Sequence, residues 1–302
     1  VKIDVTVLAA TEFFAIPWLV GQDQDFFSKR GVEVENILAG SGGSATLRTQ
    51  LSGDAPIGEI GYKSVLDAWS QDIPVRAVGG GAQGPYGGEF YALADNDRVN
   101  GIADIKKWAY TNPGSSVYAL SFLLPKEAGL STDGERIAAG GVGEGAALLE
   151  AGTVDAAWLP PSLASRNKGK FKQVVATSDY LTDFQQSVIT TSPAYAEEHP
   201  DVVRAVLAGW QESARWIAEN PDRAAQLYAE HVDLPVKAAV GVVKGAIESN
   251  VWNVGFNPAA LERATEAAVV SGFEGEVDYC EFFDGSFLPE GAARELPTKC
   301  GA

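Results

Sequence analysis

The sequence predicts an α/β protein of two lobes, one inserted into the other, each a mostly parallel sheet flanked by helices. Three observations predict it. Strand and helix signals alternate over the first eighty residues, the alternation restarts after a glycine-rich break, and the last third is helical. Alternation of this kind calls for right-handed βαβ crossovers with helices on both faces of each sheet. At 302 residues the chain is roughly two domains long.

Ile3, Val5 and Val7 alternate as in a strand, and a helical stretch follows through Trp18, Leu19, Phe26 and Phe27, with Gly31 placed for a C-terminal cap. Val32 to Leu38 reads as a second strand, and the segment from Gly40 to Ser44 opens another helix. Ile57 to Gly61 and Val75 to Val78 are short strands around a helix from Tyr62 to Gln71. Gly79 to Gly88 holds six glycines and a proline, a composition for a crossing segment and not for an element interior. Strands then recur at Phe90 to Ala94, Trp108 to Thr111, Val154 to Trp158 and Gln173 to Ala176, between helices that begin at Ser115, Gly143 and Pro161. The extended β-branched run from Phe184 to Thr191 is the second crossing. These breaks place one lobe at residues 1–86 and 190–302, with 87–189 inserted. In the last third, Val203, Leu207, Trp210, Ala214 and Ile217 recur at helical spacing after Pro200, which suits a first turn. Pro125 stands inside an otherwise helical apolar stretch.

The formal charge is −17, from 23 basic and 40 acidic residues, so a nucleic acid partner is not expected. No apolar run approaches the roughly 20 residues of a membrane span. The chain opens without a basic stretch leading into an apolar one, so a mature start at Val1 is expected, with any export signal already removed. The two cysteines, Cys280 and Cys300, are expected to form a disulfide. In an oxidising compartment it closes a loop of about 20 residues, worth about 3 kcal/mol by chain entropy.

Five segments resemble the periplasmic binding proteins for alkanesulfonates, taurine, nitrate and thiamine-pyrimidine precursors. They are NGIADIKKWAYTNPGSS from Asn100 to Ser116, EAGL from Glu127 to Leu130, AALLEAGTVDAAW from Ala146 to Trp158, SDYL from Ser178 to Leu181, and SPAYAEEHPDVVRAV from Ser192 to Val206, leading to ENPD at Glu219 to Asp222. Their order and spacing match over roughly residues 1–230. The resemblance implies the type II periplasmic-binding-protein fold, two hinge crossings, and a ligand closed between the lobes; the candidate loops, with acids, a lysine and aromatics but no clear arginine clamp, point away from a bare inorganic anion such as nitrate to a small organic ligand of sulfonate, carboxylate or pyrimidine type. It also implies an exported monomer, periplasmic or anchored outside the membrane, that serves the membrane permease of an ABC importer.

Ligands of open α/β sheets sit beyond the carboxyl ends of strands, where helix N-termini offer unpaired N–H groups. Five loops qualify. Thr11, Glu12 and Phe13 follow the first strand; Thr11 can donate to a ligand or cap its own helix, and Phe13 or Phe14 can wall it. Ser41, Gly42, Gly43 and Ser44 permit close backbone approach. Glu59 and Tyr62 follow, Glu59 being either a buried acid with a partner or a ligand acceptor. The loop from Thr111 to Ser116 brings Asn112, Gly114, Ser115 and Ser116 to one helix start. The fifth joins Gly141 to Glu144, with Gly143 and Glu144 as contacts, to Trp158, an aromatic at a strand end. Gln83 and Tyr86 lie in the first crossing and reach the ligand from the hinge side.

Catalysis finds little support. His199 and His231 both lie in charged helical contexts, and there is no nucleophile elbow, Walker loop or H-E-x-x-H. No cofactor, metal or catalytic residue is expected. Gly141, Gly143 and Gly145 lack dinucleotide-loop spacing. The alternative is a metabolic enzyme on the same two-lobed fold, of the menaquinone or thiamine-pyrimidine type, using Glu12, Glu59 or Glu144 as acid or base. The cysteine-rich segment of the thiamine-pyrimidine enzymes is missing.

Overall fold

The computed structural model describes residues 1–39, 43–52, 55–141 and 143–300. The first part alternates as β1 (Lys2–Val7), α1 (Ile16–Asp23), β2 (Glu33–Leu38), α2 (Gly43–Leu51), β3 (Ile57–Gly61), α3 (Tyr62–Trp69) and β4 (Arg76–Gly79), ending in the two-residue β5 (Gly81–Ala82). Next come β6 (Phe90–Leu93), β7 (Lys107–Tyr110), α4 (Ser116–Glu127), β8 (Glu135–Ala138), α5 (Glu144–Glu150), β9 (Ala156–Trp158), α6 (Pro161–Arg166), β10 (Phe171–Val175) and β11 (Ser187–Thr191). The remainder holds α7 (Pro193–Glu198), α8 (Pro200–Glu219), α9 (Pro221–Val232), α10 (Val236–Glu248), the short β12 (Trp252–Asn253), α11 (Pro258–Val270) and α12 (Tyr279–Phe282).

Two five-stranded sheets result, in the orders β2-β1-β3-β11-β4 and β10-β6-β9-β7-β8. In the first, β1 runs parallel to β2 and β3, while β11 runs antiparallel to β3 and β4. In the second, β7 runs parallel to β8 and β9, and β6 runs antiparallel to β9 and β10. Strand alternation divides the packing of the second sheet between its faces. Trp108 and Ala156 join the large core shared with the first sheet, whereas Ala109 and Ala157 pack with Leu149 and Leu159 in a smaller one.

β11 corrects the expected second crossing. Ser187 to Ile189, expected in the inserted part, pair with Gly61 to Glu59 in the first sheet. All five residues of β11 are buried. A strand covered on both faces loses the alternating pattern, so its β-branched run reads as a connector. The crossings themselves are shorter and lie side by side. Gly84 N donates to Phe184 O at 2.8 Å, Gln186 N donates to Ala82 O at 3.0 Å, and Gln83 bridges to Gln185.

Pro125 sits inside α4, where its missing N–H frees the Ser121 carbonyl. Arg136 Nη2 donates to that carbonyl at 2.6 Å, and its guanidinium lies 4.0 Å from the Phe122 ring centre. In α8, Val203, Leu207, Trp210 and Ile217 are fully buried along one face. The C-terminal segment covers the β4 edge: Asp284 N donates to Ala77 O at 2.8 Å, with Phe282 and Phe283 buried beside it. Covering an edge removes a template for unwanted strand pairing. Cys280 and Cys300 form a disulfide, with their Cα atoms 5.4 Å apart, and close that segment.

Candidate functional site

The carboxyl ends of five strands converge on one cavity of about 370 Å³. From the first sheet come Leu8, Ala9, Ala10 and Thr11 after β1, Phe14 beyond them, and Ala39 after β2. The crossings add Gly87, Gly88 and Gln186. From the second sheet come Thr111 after β7, the first turns of α4 (Ser115, Ser116, Val117, Leu120), Gly140 and Gly141 after β8, Glu144 of α5, and Trp158 at the end of β9. This volume lies at the lower end of those of ordinary small-molecule sites.

Alanines and glycines make the room, and for two of them packing dictates the choice. A Cβ on Gly87 would meet the Phe13 ring at 2.5 Å, and one on Gly88 would meet Thr177 Oγ1 at 2.5 Å. Polar groups on the wall are mostly engaged within the protein. Trp158 Nε1 donates to Gly87 O at 2.6 Å and Ser116 Oγ donates to Gln186 O at 2.8 Å. The Gln186 amide donates to Gly84 O and Tyr86 O at 2.8 and 2.7 Å. Ser115 caps α4, its Oγ accepting from Tyr118 N at 3.2 Å. The next two amides, of Ser116 and Val117, belong to the helix turn that lacks internal acceptors. Glu144 is the one ionisable side chain among the described residues of the wall, and it is exposed.

Behind the cavity lies a layer of buried acids. Glu12 is 1% exposed; Ser162 Oγ donates to its Oε1 at 2.5 Å, and its Oε2 has no partner. Burial pushes this carboxyl up to about 7, with Ser162 opposing. Glu59 is fully buried, Oε2 accepting from Trp18 Nε1 at 2.8 Å and Oε1 from Ser187 Oγ at 2.7 Å. Burial outweighs both bonds and pushes it up to about 7 as well. Glu89, half-buried in the first crossing and accepting from Gly87 N at 3.2 Å, is also pushed up to about 7 by burial, with the backbone at Glu89 and Gly87 opposing. Burial also raises Tyr86 and Tyr228, whose hydroxyls donate to Val242 O and Thr11 O at 3.0 and 2.7 Å.

Several bonds cross between the parts that carry the two sheets. Besides Ser162 to Glu12, Ser64 Oγ donates to Gly114 O at 2.9 Å and Arg166 Nη2 to Val232 O at 2.7 Å. On the α4–α11 flank, Lys126 pairs with Glu266 at 2.7 Å and Arg263 with Glu127 at 3.1 Å.

Of the residues that sequence singles out, Thr11, Ser115, Ser116, Glu144 and Trp158 line the cavity. Glu12 and Phe13 lie behind it, and Phe14, stacked on Phe13 at 4.2 Å, takes the wall position. Glu59 is a partnered core acid. Tyr62 heads a hydroxyl chain through Thr265 to Tyr279, both links 2.7 Å. Gln83 ties the hinge to the C-terminal part, donating to Gly255 O at 2.7 Å, and Tyr86 is held by Val242. Asn112, Gly114 and Gly143 stand off the wall. Gly114 has φ +82°, so a bulky replacement there strains the backbone. Ser41, Gly42 and Val142 lie outside the described residues, and Gly43 and Ser44 are described only as the start of α2. Leu8, Ala9, Ala10, Ala39, Gly87, Gly88, Val117, Leu120 and Gln186 escaped sequence reasoning. The small and apolar ones carry no chemical signal, and Gln186 lies in a segment whose β-branched run reads as a plain connector.

The family described as "NMT1/THI5 like" matches residues 13–224. A search of curated proteins finds no match. The ligand-binding component of an ABC-type import system from Staphylococcus aureus superposes with a TM-score of 0.78 at 13% identity, over 97% of this chain and 99% of that one. The periplasmic aliphatic sulphonate-binding protein SsuA from Escherichia coli gives 0.73 at 17% identity, over 93% and 97%. The desulfurization enzyme DSZB gives 0.62 at 17% identity, over 94% and 97%. Likeness at such identities establishes the periplasmic-binding-protein fold, and function has to be argued from the site.

Proposed function

The chain belongs to the NMT1/THI5-like family, and from that premise we propose that it is the extracytoplasmic solute-binding component of an ABC importer. It captures a small organic molecule by closing two lobes on it. One observation carries this reading: a single cavity takes its walls from the strand ends of both sheets, so a molecule inside touches both lobes at once. Contacts that exist only when the lobes are together shift the population toward closure. The first lobe comprises residues 1–86 and the chain from β11 onward, and the second comprises the span between. The paired crossings at Gly84 and Gln186 act as the hinge. Working as a monomer, it presents its closed surface to a membrane permease.

Export fits the disulfide, since such bonds persist in oxidising compartments. Binding is favoured over catalysis by the wall chemistry: Glu144 is the one ionisable side chain among the described wall residues, and the neighbouring Ser116 hydroxyl is already engaged with Gln186 O. The raised acids Glu12 and Glu59 lie behind the wall, held by Ser162 and by Trp18 with Ser187.

A thermal-shift screen across small sulfonates, carboxylates, amines and neutral heterocycles tests the proposal. A ligand at 100 times its dissociation constant adds about 2.7 kcal/mol of stability. A hit must be recovered chemically unchanged after incubation and must lose its effect in Leu120→Trp, which fills the cavity. Turnover of the hit, or an undiminished effect in that variant, overturns the assignment.

A further inference from the structure

The polar inventory of the cavity narrows the chemistry of what it holds. Among its described walls there is no lysine, arginine or histidine. The side-chain N–H groups of Trp158 and Gln186 and the hydroxyl of Ser116 already donate to backbone carbonyls. An anion entering here exchanges its hydration for the first-turn amides of α4 and the hydroxyls of Thr111 and Ser115. It also approaches a chain of formal charge −17, whose field opposes it.

The opposite sign meets a different surface. Glu144 lines the cavity with its carboxylate folded back over Gly141. Among the described residues that carboxylate has no hydrogen-bond or ion-pair partner. A first-turn acid of α5 gains from the helix dipole anywhere near the helix start. That gain does not require the carboxylate to fold onto Gly141, itself a wall residue, and here it does. Across the space, Leu8, Phe14, Val117, Leu120 and Trp158 offer hydrocarbon and ring surface.

We infer that the ligand is an apolar-bodied monocation: a protonated amine on a hydrocarbon or aromatic frame, its ammonium on Glu144 and its body against Trp158 and Phe14. This class rests on the binding function proposed above. It makes Glu144 the specificity-determining residue, since a carboxylate on the wall repels the isosteric acid as well as attracting the amine.

Calorimetry and thermal shift on the whole chain, with ligand series matched in shape, test it. Benzylamine, benzyl alcohol, benzoate and benzenesulfonate form the first series, and bicyclic analogues of the same four groups form the second. Amines are expected to bind best in both. Glu144→Gln is expected to weaken the amines about tenfold while leaving the alcohols unchanged, and Glu144→Lys to favour the acids instead. Acids that bind better than their matched amines, or amine affinity indifferent to Glu144→Gln, overturn the monocation and leave the binding function standing. Silence from every charge class, in this series and in the broad screen, overturns both.

Discussion

The cavity and the layer behind it use the same residue, glutamate, in opposite ways. Glu144 lies exposed on the cavity wall with no partner among the described residues. Glu12 and Glu59 are sealed from solvent and absent from the wall, and each accepts from a buried hydroxyl. The difference teaches which acids hold the molecule together and which is free to meet a ligand. An exposed carboxylate keeps its hydration until something displaces it, whereas a buried one survives only by holding a proton or a set of donors.

Glu59→Ala should separate the two regions most sharply. It strips the acceptor from two buried donors, Trp18 Nε1 and Ser187 Oγ, and should cost about 2–5 kcal/mol in denaturant titrations. A loss below about 1 kcal/mol would mean that water reaches these donors.

The pH dependence of stability comes next. The folded carboxyls of Glu12 and Glu59 lie at about 7, above the ordinary 4.5 that they regain on unfolding. Their contribution is therefore complete below pH 4.5 and is lost as pH rises through 7. The ceiling is about 3 kcal/mol for each group. Glu12→Gln should flatten its share of the slope between those limits, and an unchanged slope would remove Glu12 from the account.

Ser162→Ala tests the bond that joins the two lobes behind the cavity. Removing the donor to Glu12 should cost about 1 kcal/mol and raise the Glu12 titration further, since Ser162 opposes the effect of burial. The same variant should weaken ligand binding, because the bond joins α6 to the loop after β1. Glu144→Gln completes the comparison from the other side: stability should stay within about 0.5 kcal/mol of the parent. A larger loss would make Glu144 a structural acid like the others.

Much of this layout was legible in sequence. Strand ends followed by helix starts located four of the cavity's sources, at Thr11, at Thr111 to Ser116, at Gly141 to Glu144 and at Trp158, because that rule depends on topology and not on residue chemistry. The residues between them were not legible. Ala9, Ala10 and Gly88 define the space by being small, which a single sequence cannot tell from ordinary packing. Alternation placed Glu59 beside Ile57 but left open whether that face met core or cleft, and Trp18 with Ser187 settles it as core. β11 was misread because burial on both faces erased its period.

Closure around a captured molecule is the central claim, and a distance between the lobes tests it most directly. Spin labels at Arg48→Cys on α2 and Glu150→Cys on α5, both exposed positions, report that distance with the native disulfide intact. With the strongest stabiliser from the screen, whatever its charge, the distance distribution should narrow and shift to shorter values. A distribution unmoved by saturating ligand would contradict closure.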